Sequence, residues 1–83
     1  MEIIEKQLRE ETNKWLEKAV EKRKNTKLLD SSKENMLKNI DAYIKDSQYF
    51  LDKGDLVRAF EATIWSWAWL EILEYLKIIE QEK

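Results

Sequence analysis

Apolar side chains recur at helical spacing from the start of the chain. Ile4, Leu8, Trp15 and Ala19 fall on one face, flanked by Leu16 and Val20, while Glu and Lys fill the remainder. This pattern predicts a helix over about residues 2–24. Its last turn carries Lys22, Arg23 and Lys24, cations that suit the negative end of a helix dipole. Residues 25–30 break the periodicity and read as a linker. Ser31-Ser32-Lys33-Glu34 then fits a capping box, with Ser31 as N-cap of a second helix over about 31–53. That helix has an apolar stripe of Met36, Leu37, Ile40, Tyr43, Ile44, Ser47, Phe50 and Leu51, and its phase leaves Asp46 and Tyr49 outside the stripe.

Lys53-Gly54-Asp55 compresses a stop and a start: Gly54 suits a left-handed helix end, and Asp55 suits the N-cap of the next helix. So short a connection makes the flanking helices antiparallel neighbours. The third helix is expected over about 56–81, with Trp65, Ala68, Trp69, Ile72, Leu76 and Ile79 as its core stripe. Phe60, Ile64, Trp67 and Leu70 extend its apolar arc well beyond the ~100° that a surface helix needs to reach one core. One glycine and no proline leave little else to interrupt long helices. The predicted fold is therefore one all-α domain, an antiparallel up-and-down three-helix bundle.

Composition narrows the chemistry. With no cysteine and no histidine, the chain lacks disulfides, thiolate zinc sites and imidazole bases. Glu10 with Glu11, and Glu71 with Glu74, offer carboxylates, but the helical di-iron pattern requires Glu-x-x-His. No enzyme activity, cofactor, metal or small-molecule substrate is expected. Fifteen basic against seventeen acidic residues provide no field toward nucleic acid or anionic membrane. The longest apolar run, around Ile64 to Leu70, falls far short of the ~20 residues of a membrane span. Glu2 and Glu5 interrupt any signal-like start, so a cytoplasmic protein is expected.

The run Asp46-Ser47-Gln48-Tyr49-Phe50-Leu51-Asp52-Lys53-Gly54-Asp55 continues through Leu56-Val57-Arg58-Ala59-Phe60-Glu61-Ala62 to Trp65-Ser66-Trp67-Ala68-Trp69-Leu70. In this C-terminal half the chain resembles an archaeal family known as domain of unknown function 357. The resemblance implies a three-helix up-and-down bundle of archaeal origin. It implies no biochemical activity.

The surplus apolar arc of the third helix points to an interaction or assembly module. Trp67, Phe60 and Tyr49 are its candidate anchors, because a few aromatics carry most interface energy. Arg58 reads either as an anion clamp at a helix N-terminus or as an ion-pair partner of Glu61 or Asp46. A homodimer or an unidentified protein partner is expected. The alternative is a weak nucleic-acid accessory protein using the basic tip of Lys22, Arg23, Lys24 and Lys27, although interleaved Glu17 and Glu21 dilute that charge.

Overall fold

A computed structural model describes residues 2–82. Helix α1 runs over Glu2–Lys24, α2 over Glu34–Asp52 and α3 over Leu56–Tyr75. Two short strands, β1 (Thr26–Leu28) and β2 (Ile79–Gln81), pair antiparallel, with Thr26 opposite Gln81, Lys27 opposite Glu80 and Leu28 opposite Ile79. The bundle is a rod of 45 × 21 × 17 Å. A cross-section that narrow leaves each helix with a face near solvent. α3 packs along both α1 and α2, which touch each other little.

The inner face of α3 consists mostly of small residues. Ala59, Ala62, Thr63 and Ser66 are buried there, followed by Leu70 and Leu73. Each helix also contributes a fully buried hydroxyl: Thr12, Ser47 and Thr63. These hydroxyls satisfy themselves within their own helices, donating to Leu8 O (2.7 Å), Tyr43 O (2.9 Å) and Ala59 O (2.8 Å). They therefore bring no desolvation penalty and no bulk to the helix contacts. The hydrophobic cluster proper gathers Ala19, Leu37, Ile40, Leu70, Leu73 and Ile79, the last supplied by β2.

This arrangement rotates α3 away from its expected phase, although Trp69 and Ile79 of the expected stripe still reach the hydrophobic cluster. Leu70 lies in the core, whereas Trp65, Ile72 and Leu76 are exposed. A helix that is apolar nearly all round carries no periodic signal for which side is inner. Close approach to two neighbours then selects the small side chains and displaces the rings sideways. Trp67 edges onto Trp15 of α1, with centroids 5.5 Å apart, and Trp65 stacks on Tyr43 of α2 at 6.4 Å.

Two boundaries also differ from expectation. α3 ends at Tyr75, because Lys77 adopts a left-handed backbone (φ 60°) and Ile78 N–H donates to Leu73 O at 2.9 Å. The last residues of the expected helix form β2 instead, and part of the expected linker forms β1. Ser31 does not cap α2, whose N-cap position is Lys33 with no side-chain capping bond; the capping aspartate, Asp30, serves the short turn before it. Asp30 Oδ1 accepts from Ser32 N (3.0 Å) and Ser32 Oγ (2.6 Å), and a 3₁₀ turn over Ser31–Lys33 leads into α2. The Ser32 hydroxyl, then its amide, hold the Asp30 carboxyl below the ordinary carboxylate pKa. That contribution to stability is present above the unfolded-state pKa and fades as pH falls through the lowered value.

The turn from α2 to α3 follows the sequence closely. Gly54 has φ 77°, Asp55 N–H reaches back to Phe50 O (2.9 Å), and Asp55 Oδ1 accepts from Arg58 N (3.2 Å). Gly54 and Lys77 thus occupy equivalent Schellman positions, one suited to it and one strained. A left-handed non-glycine residue costs about 1–2 kcal/mol. Lys77→Gly is expected to stabilise the fold by about 0.5–1 kcal/mol in urea titration. Gly54→Ala, where the added Cβ meets no atom within 4 Å, is expected to cost about 1 kcal/mol through backbone strain alone. By the same assay Leu70→Ala loses about 2–5 kcal/mol, whereas Tyr75→Ser stays within about 0.5 kcal/mol, because only the first side chain is buried.

Candidate functional site

The candidate residues do not form one cluster. Phe60 and Trp67 lie on the shoulder of α3 that meets α1. Phe60 borders a shallow depression with Ile4 and Leu8, and Trp67 meets Trp15. Both are half-buried. Tyr49 stands apart on α2, 57% exposed, with Phe50 edge-on at 5.5 Å and the Lys53 ammonium 5.6 Å from its ring. Asp46 is exposed on the same helix. Arg58 pairs with Asp55 at 3.4 Å rather than with Glu61 or Asp46. It therefore braces the cap of its own helix.

The basic tip is partly neutralised. Lys22 Nζ sits 2.7 Å from Glu74 Oε1 and 3.7 Å from Glu71 Oε2, with its side chain 14% exposed and its charge 5.5 Å above the Trp67 ring. Arg23 forks onto Asp41, Nε to Oδ1 at 2.7 Å and Nη2 to Oδ2 at 3.1 Å, tying α1 to α2. Lys24 and Lys27 are exposed, and Lys27 lies opposite Glu80 in the ribbon. Two of the four cations thus serve as straps between elements. The same contacts bring Glu71 and Glu74 together beside Lys22.

An open groove of about 820 Å³ lies beside α1, lined by Lys14, Lys18, Lys22, Glu17, Glu21 and Trp67 among others. Lys18 stands 4.6 Å over the Trp15 ring, and Lys14 lies 3.9 Å from Glu11. Its charges alternate in sign along a helix face, an arrangement suited to solvation. Among the described residues no group of three or more Asp and Glu is placed to hold a metal ion, and no helix is long and apolar enough to cross a membrane.

An exposed apolar stripe lies elsewhere, on the outer face of α3. Val57 (70%), Trp65 (49%), Ile72 (42%), Tyr75 (85%) and Leu76 (56%) face solvent there, with Ile64 and Ala68 partly exposed between them. Glu61 is the charge in the middle of this stripe, since Glu71 turns toward Lys22. The helical pattern places Trp65, Ile72 and Leu76 inside, whereas the fold exposes them, and it singles out neither Val57 nor Tyr75. The legible signal was the helix's lack of amphipathicity, which announces an uncovered face without indicating which one.

Comparison with known proteins points to one family. Among curated proteins no match is found. The fold matches a crystal structure of a protein from Archaeoglobus fulgidus with a TM-score of 0.85 and 50% identity, covering 94% of this chain and 97% of that one. That protein is itself assigned to the family described as protein of unknown function (DUF357), whose family model matches residues 12–79 of this chain. From its C-terminal motif, its three-helix architecture and this match, the chain belongs to the DUF357 family.

Proposed function

We propose that this chain is a non-catalytic protein–protein interaction or assembly module whose working surface is the outer face of α3. The observation that carries the reading is the exposure of Trp65, Ile72, Tyr75 and Leu76 on a helix already packed by α1 and α2 on its other sides. Soluble monomers rarely leave contiguous apolar surface of this kind wet, and where they do it marks a binding face. Tyr and Trp suit that role because they deliver large rigid contact area with a polar tip. The partly neutralised basic tip disfavours the nucleic-acid alternative, since Lys22 and Arg23 have carboxylate partners.

Site-specific photocross-linking in the native host tests the proposal. A photoreactive residue at Ile72 or Tyr75 is expected to yield protein adducts of defined size, and the same group at Lys45 on the polar side of α2 to yield none. Adducts from neither α3 position, or equal adducts from all three, overturn it.

A further inference from the structure

The exposed stripe on α3 has a symmetry of its own. Ile64 and Ile72 lie four residues before and after Ala68, and Glu61 and Tyr75 lie seven before and after it. All five share the outer face by helical phase. We infer that the occupant of this face is a second copy of the same chain, its α3 laid antiparallel across Ala68 on a two-fold axis. The inference rests on the reading of that face as an interface and specifies its partner.

Three observations favour a second copy. The first is size. Val57, Trp65, Ile72, Tyr75 and Leu76 leave on the order of 600 Å² of side-chain surface uncovered per copy. A two-fold pair that covered all of it would bury at most about 1,200 Å², the lower edge of what stable interfaces use. The second is shape. Ala68, the smallest residue of the stripe, stands at the crossing, where two helices must approach to about 8–10 Å. Ile64 of each copy then meets Ile72 of the other.

The third is charge. Antiparallel pairing sets Glu61 against the Tyr75 hydroxyl of the second copy, a charge-assisted hydrogen bond, and brings it toward that copy's Lys77. It also opposes the two helix dipoles. Parallel pairing sets Glu61 against Glu61, an uncompensated repulsion in an otherwise apolar seam. Both pairings can satisfy two-fold symmetry, and the charges favour the antiparallel one.

The chain has no cysteine, so single-cysteine variants report the register directly. In sedimentation equilibrium from about 1 to 500 µM, the wild type is expected to pass from monomer to dimer with a midpoint in the micromolar range. Ile72→Glu, at a position already 42% exposed, is expected to raise that midpoint at least tenfold while leaving the helical circular dichroism unchanged. On mild oxidation Ala68→Cys should form a disulfide with itself. Ile64→Cys should form one only when mixed with Ile72→Cys.

A wild type that stays monomeric at the highest concentration overturns the second copy. Cross-linking of Glu61→Cys to itself, without Ala68→Cys doing so, also overturns the arrangement. If photoadducts from position 75 then appear at masses other than twice the monomer, the interface reading stands with a different partner. If position 75 gives no adduct and no dimer forms, both readings fall.

Discussion

The close approach of α3 to two helices at once organises this molecule. Ala59, Ala62, Thr63 and Ser66 line its inner face because nothing larger fits between neighbours on both sides. Dense packing tolerates neither added bulk nor unsatisfied polarity, and the buried Thr and Ser meet both demands by bonding to their own helix. The consequence reaches the surface. Rings excluded from the inner face move to the shoulders, where Trp67 meets Trp15 and Trp65 meets Tyr43, and the remaining bulk is left facing outward.

Polar contacts fit the same logic. Lys22 spans from α1 to Glu74 and Glu71 on α3, while Arg23 spans from α1 to Asp41 on α2. Because α1 and α2 touch little directly, the Arg23–Asp41 fork is one of the few bonds between them. The bidentate geometry suits that task better than a point charge would. What reads in sequence as a run of surface cations is, in the fold, two straps and two exposed lysines.

Local chemistry was legible. The span of α1, the position of Gly54 and the capping by Asp55 follow from side-chain type at a fixed offset. The family motif lay in the same region, which explains why the three-helix architecture was within reach. Non-local choices were hidden. Residues 79–81 form a strand only because residues 26–28, fifty residues away, present a partner, and α3 stops at Tyr75 through a lysine in a conformation usually left to glycine. The phase of α3 was hidden for a different reason: a helix without a polar side has several equivalent ways to sit until its neighbours arrive. The aromatic face proposed as a docking surface was therefore visible as an excess, but not as a place.

The ribbon carries a consequence for the interior. Ile79 belongs to the hydrophobic cluster, and it is held there by the pairing of β2 with β1. The partner strand lies roughly fifty residues earlier, so the contact that completes the core is among the least local in the molecule and among the costliest in loop-closure entropy. Fraying of this small ribbon would therefore withdraw a buried side chain from the middle of the protein.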